Sequence, residues 1–313
     1  MAEVDDMKQL SRRAALKSIG GAAAVAAFAP GALAERPRGP LIENTMHMFA
    51  ADTTRFPLAK NAPYKPNPNS LERYIAFVKE VDLTHTILVQ PEPYQDDESY
   101  VEYCFTQEPR PGYFKATCLY DPIDPATPGR IEALVKKNPN RIVGMRMHEM
   151  GAAGSSYKST GAIKNRDPRD PAMKNTLRKL GDLGLILQIQ FVPYQAKVLG
   201  EMASGFRNVP ILIDHFGLVA RGSAEEYDNV IALSKQPQFY MKISQLPKDP
   251  KPIVKRVFDA FGPDRLIWGS YGSNVQAFNR MLAQIDDVFD FASEADRVKI
   301  RGGNAMKLFK FQA

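Results

Sequence analysis

Several polar residues stand where short apolar runs end. Leu212-Ile213-Asp214-His215-Phe216-Gly217 reads as a buried strand closed by Gly217, with His215 at its carboxyl end. Elsewhere, polar pairs lie two residues apart: Glu43 with His47 through Thr45, Arg146 with His148, Gln188 with Gln190, and Lys242 with Ser244. Residues two apart share one face of a strand, so each pair points the same way. The chemistry implied is proton transfer by His47 or His215 and capture of an anion by Arg146 or Lys242. Glu43, if it faces inward with His47, would hold that imidazole in one tautomer. Asp214 points away from the site by alternation and reads as structural. His85 stands at the start of its strand, far from the other candidates, and also reads as structural.

Eight such strands must carry these pairs. They are expected over 41–49, 84–90, 113–119, 142–148, 185–191, 210–215, 239–244 and 266–270, with helices over 71–80, 97–106, 128–137, 170–183, 195–204, 224–233, 252–261 and from 275 onward. Ser70 and Thr127 are the expected N-caps of the first and third helices, and Gly184 stops the fourth. Regular alternation of strand and helix predicts a parallel sheet, and eight repeats predict closure into a (β/α)8 barrel. In that fold the chemistry gathers at the carboxyl ends of the strands. Pro57, Pro63, Pro66 and Pro68 keep the stretch after the first strand irregular, and a loop of that length suits a lid. No Gly-x-Gly-x-x-Gly opens a helix, which argues against a dinucleotide fold.

The chain has 313 residues, 44% hydrophobic and 24% charged, with a net charge of +6. The charge is spread without blocks and without a basic, aromatic-interleaved stripe, so nucleic-acid binding is not expected. Cys104 and Cys118 are not spaced as a zinc or redox pair. They read as buried thiols, with a disulfide open to them in an exported protein. Export is expected: Ser11-Arg12-Arg13-Ala14-Ala15-Leu16-Lys17 is similar to a twin-arginine motif, followed by an Ala/Gly-rich apolar run and Ala32-Leu33-Ala34. Residues 1–34 are therefore expected to be a signal peptide read by the twin-arginine machinery. Residues 35–313 would be one barrel domain working in the periplasm, with no membrane span.

From Ile42 to Phe309 the chain resembles the amidohydrolase-related TIM-barrel family, in particular the branch containing 2-pyrone-4,6-dicarboxylate lactonase and sugar lactonases. The resemblance is carried by Met46-His47-Met48-Phe49, Pro63-Tyr64, Ile87-Leu88-Val89-Gln90 and Ile142-Val143-Gly144-Met145-Arg146. It continues through Ile213-Asp214-His215-Phe216-Gly217, Lys242-Ile243-Ser244, Asp264-Arg265-Leu266-Ile267-Trp268-Gly269-Ser270 and Gly303-Asn304-Ala305-Met306-Lys307-Leu308-Phe309. Metal-dependent members end strand one in Asp-x-His-x-His, and Glu43, Thr45 and His47 stand at those positions here. Gln188 and Gln190 stand where a strand-five His is common, His215 matches the strand-six His, and Tyr271 replaces the strand-eight Asp.

Zinc takes about four ligands of imidazole, thiolate or carboxylate type. Only Glu43, His47 and His215 remain to supply them, so no tightly bound metal cofactor is expected. The resemblance implies a hydrolase of a small lactone or ester with carboxylate groups. His47, His215 and Tyr271 would do the chemistry, while Glu43, Arg146, His148, Gln190, Lys242 and Ser244 would hold the substrate. Glu149 joins His148 as a lesser candidate. The alternative is a degenerate barrel that binds a small ligand or a partner protein; a decarboxylase, as some relatives are, is a weaker third reading because those lean on metal.

Overall fold

Eight strands run parallel, each bonded to the next in chain order. They are β1 (Ile42–Met46), β2 (His85–Val89), β3 (Phe114–Cys118), β4 (Ile142–Met150), β5 (Ile186–Phe191), β6 (Ile211–Ile213), β7 (Phe239–Ile243) and β8 (Leu266–Trp268). The structure is a computed structural model, and residues 39–150, 168–270, 272 and 274–312 are described. The segment 1–34, Tyr271 and the side chain of Glu149 lie outside the described residues. Helices alternate with the strands: α1 (Leu71–Val81), α2 (Ser99–Thr106), α3 (Thr127–Lys137), α4 (Pro171–Asp182), α5 (Ala196–Ala203), α6 (Ala224–Ala232), α7 (Pro250–Phe261) and α8 (Val275–Val288). The chain is a (β/α)8 barrel, as the alternation requires.

Local chemistry explains most boundaries. Ser70 accepts from Arg73 N at the start of α1, and Asp170 accepts from Ala172 N at the start of α4. Gly184 follows α4 with φ +63, a backbone that disfavours residues carrying a Cβ. Thr127 is not a cap: it is the first residue of α3, and its hydroxyl donates to Asp121 O at 2.5 Å. β1 ends at Met46 rather than continuing to Phe49, because the pairing with β2 slips after Glu43. Phe49 bridges instead to Asn69, which ties down both ends of the Pro-rich loop. Cys104 and Cys118 are free, buried thiols, so the disulfide is not formed.

The main core lies between sheet and helices. A second apolar cluster joins Ile42, Ile87, Val89, Val143, Ile186, Leu212 and Ile267. Strands as distant in sheet order as β1 and β5 can touch only across the inside of a closed barrel. Phe309 and Phe311 join this cluster from the C-terminal segment. Where β8 returns to β1, side chains seal the seam. Glu43 accepts from Ser270 N at 2.9 Å and from the Ser270 hydroxyl, while the Asn44 amide donates to Trp268 O. Gly269 permits this approach, since a Cβ there would lie 2.6 Å from Thr45 Cγ2.

Candidate active site

Above the apolar layer, the same inward rows of the barrel become polar. Two residues beyond Ile186 stands Gln188; two beyond Leu212 stands Asp214; two beyond Tyr240 stands Lys242. Asp214 is the hub. Its carboxylate meets Lys242 Nζ at 2.8 Å, Gln188 Nε2 at 3.0 Å from each oxygen, and Arg146 Nε at 3.5 Å. Both Asp214 and Lys242 have side chains only 1% exposed. Lys242 also donates to Asn44 O at 2.9 Å, and Arg146 Nη2 donates to Gln190 Oε1 at 2.7 Å.

Asp214 therefore faces inward, contrary to the alternation argument. The strand ends at Ile213, and the backbone then turns left-handed, with φ 49 at His215 and φ 56 at Phe216. Asp214 itself is still extended, with φ −74 and ψ 142, and keeps the inward row of Leu212; counting its face from His215, which lies in that turn, misreads the alternation. The turn brings His215 back to the same mouth, where its Nδ1 lies 2.8 Å from Ser244 Oγ. His47 holds its place through Nδ1, 2.7 Å from Val89 O.

Glu43 is not the partner that fixes His47. It pairs in register with Thr86, whose hydroxyl lies 2.9 Å from Tyr74 OH of α1, so this pair faces the helices. Its oxygens are occupied by Thr45 and Ser270. It seals the seam. His148 Nδ1 lies 2.7 Å from Glu92 Oε1, a partner not visible in the sequence because Glu92 comes from the turn after β2. Gln188, Asn44 and Glu92 were the residues that pattern reasoning left without a role. Three of the four histidines (His47, His148 and His215) thus gather on strand ends at one mouth.

The electrostatics follow from burial and two cations. Burial, with Arg146 and Lys242 nearby, pushes His47 down to about 3. Burial pushes His215 down to about 4 against the opposing pull of Asp214, with Lys242 and Arg146 adding to the lowering. Burial alone would raise Asp214, but Lys242, His215 and Arg146 hold its carboxyl well below the usual range. Burial lowers Lys242 despite its bond to Asp214. At neutral pH the mouth holds two uncharged imidazoles beside a cation–carboxylate–cation row.

The sequence matches the amidohydrolase family over residues 46–311. The chain belongs to the amidohydrolase family. No curated protein matches this amidohydrolase by sequence. Among solved structures, it is similar to a probable 2-pyrone-4,6-dicarboxylic acid hydrolase from Acinetobacter baumannii with citric acid bound (19% identity, TM-score 0.67, covering 87% of this chain and 99% of that one). It is also similar to an amidohydrolase from Burkholderia multivorans with bound zinc (14% identity, TM-score 0.65, 88% and 100% covered). A dihydroxybenzoic acid decarboxylase from Polaromonas with bound manganese aligns with TM-score 0.57 at 15% identity, over 88% of this chain and 98% of that one. At these identities the likeness is one of fold. By family, the chain is an amidohydrolase-like enzyme.

A metal of the kind those relatives hold does not suit the donors described here. Among the described residues, no three of His, Cys, Asp and Glu come close enough to share an ion. Asp214 is already bonded to an ammonium, a guanidinium and an amide, and Glu43 is turned into the seam. Zinc would need these carboxylates free.

Proposed function

We propose that this amidohydrolase opens a small lactone or ester carrying carboxylate groups, without a tightly bound metal. The observation behind this reading is the Arg146–Asp214–Lys242 row beside two neutral imidazoles. Arg146 spends Nη2 on Gln190 and Nε on Asp214, and Nη1 has no partner among the described residues. That donor suits a substrate carboxylate. Gln190 thus orients Arg146 rather than touching the carbonyl. Lys242 uses two of its three N–H groups on Asp214 and Asn44, leaving one for a developing oxyanion.

His215 is the base in this scheme. Its neutral ring takes a proton from the attacking water, the water oxygen bonds the carbonyl carbon, and Asp214 stabilises the imidazolium. Collapse breaks the ring C–O bond, and His215 returns the proton to the leaving oxygen. His47 lines the same mouth as the second proton carrier, His148 with Glu92 shapes its wall, and Tyr271, which follows β8 in the sequence, is assigned the role of carbonyl-side donor. The citric acid held by the Acinetobacter relative is a polycarboxylate, which agrees with an anionic substrate.

A second reading has its own support. Asp214, Lys242, Arg146 and Gln188 spend most of their polar groups on one another, as a structural network in a non-catalytic binding barrel would. One experiment separates the two: metal content per chain, with hydrolysis of 2-pyrone-4,6-dicarboxylate and a lactone panel before and after chelation. Metal-free protein with chelator-resistant turnover is expected. Stoichiometric metal with chelator-sensitive turnover overturns the metal-free scheme, and inactivity across the panel moves the reading to a binding barrel. We also propose export by the twin-arginine route to the periplasm. Replacing Arg12-Arg13 by Lys-Lys should retain the protein in the cytoplasm, read by fractionation.

A further inference from the structure

The opposite mouth of the barrel, at the amino ends of the strands, contains a cavity of about 1120 Å³. Four basic side chains line it (Arg110, Lys115, Arg141 and Lys310), and no carboxylate lines it among the described residues. Glu108, outside the lining, neutralises Arg141 at 2.5 Å. Among the described residues the other three cations hydrogen-bond backbone carbonyls only: Arg110 at Thr84 O, Lys115 at Phe309 O and Lys310 O, and Lys310 at Gly184 O; Arg110 also lies over the Tyr113 ring. Lys115 is 8% exposed, and a lysine so buried ordinarily faces a carboxylate. A carbonyl carries only a partial charge, so most of the positive field is left for another group.

A second observation points into the same space. His85 lines the cavity, is 6% exposed, and its Nδ1 has no hydrogen-bond partner among the described residues. Buried polar atoms are nearly always satisfied, so an orphan here marks a missing partner. The ring stacks on Phe311 with centroids 4.2 Å apart, and Lys115 Nζ lies 5.1 Å from that Phe311 ring. Val143, Leu185 and Leu308 supply apolar wall. Burial first, then Arg110, lower the pKa of His85, against an opposing pull from the Tyr113 and Gly112 carbonyls.

We propose that this cavity is a second binding site, for a small organic dianion with an apolar body. Arg110, Lys115 and Lys310 meet its charged groups, and His85 donates a hydrogen bond. β2 begins at His85 and ends at Val89, whose carbonyl holds His47. The two mouths are therefore joined by one strand.

The test is nuclear magnetic resonance of the four histidine rings in the full chain, titrated with isophthalate and, separately, with phenyl phosphate. Binding at this mouth moves His85, whereas binding at the other mouth moves His47, His148 or His215. Arg110 and Lys310 are exposed, so Arg110→Gln with Lys310→Gln should keep the fold. That double variant should weaken the His85 response by roughly tenfold per charge removed and leave the other rings' response intact. Response to isophthalate alone or phenyl phosphate alone identifies the headgroup as carboxylate or phosphate. A His85 signal that neither probe moves, or one that the double variant leaves unchanged, overturns the proposal.

Discussion

Asp214 decides the character of the candidate active site. Its charge allows two cations to be buried beside two histidines, and removing one partner of such a group is costlier than never having buried it. Asp214→Asn keeps the shape and should destabilise the fold by about 3–5 kcal/mol, measured by urea denaturation. Adding Lys242→Met should recover part of that loss, since the stranded cation goes with it. His215 makes a kinetic prediction. A base held down to about 4 stays unprotonated well below the ordinary histidine range. The acid limb of kcat/KM should therefore fall near 4 rather than 6.5, the ordinary histidine value. A limb at the ordinary value would remove His215 from the role of base.

At the scale of elements, the seam between β1 and β8 is the joint to test. Seven strand pairs are joined by backbone ladders, but this one relies on Glu43, Asn44 and Ser270 and on the bare backbone of Gly269. Gly269→Ala forces a Cβ against Thr45 and should cost about 1–3 kcal/mol. Glu43→Gln exchanges two acceptor oxygens for one and should cost a similar amount, about 1–3 kcal/mol, by leaving buried donors of Ser270 or Thr45 unpaired. Both losses should appear as lower urea midpoints with an unchanged m-value.

For the whole molecule, buried titrating groups set the pH of greatest stability. His47 and His215 titrate at 6.5 in the unfolded chain but near 3 and 4 when folded. The unfolded state then binds more protons, so stability is lost as pH falls below 6.5, with His85 shifted in the same direction. Glu98 opposes them: burial raises it from 4.5 to about 8, so the folded state keeps a proton that the unfolded state loses. Between 4.5 and 6.5 the histidines outnumber Glu98, and stability should rise with pH, by about 1.4 kcal/mol per unit near the middle of the range and levelling off towards 6.5. Between 6.5 and 8 Glu98 acts without them, and stability should decline. Denaturation across this range should show a maximum near 6.5, and Glu98→Gln should abolish the decline above it.

The alternation of strand and helix is a local pattern, so the eight-stranded barrel, its order and the mouth at which the candidate residues gather were legible residue by residue. Arg146, Lys242, Ser244 and His215 were placed correctly because each follows an apolar run that stays regular up to it or turns back to it. Asp214 was misplaced because its face was counted from His215, across a left-handed turn, and Glu43 because its face was counted from His47, across a slipped ladder; neither break is visible in the local pattern. The tertiary structure alone decided which cation meets which carboxylate, since Asp214 draws partners from β4, β5 and β7. It likewise gathered Arg110, Lys115 and Lys310 at the opposite mouth, because residues far apart in sequence share a barrel end only after the sheet has closed.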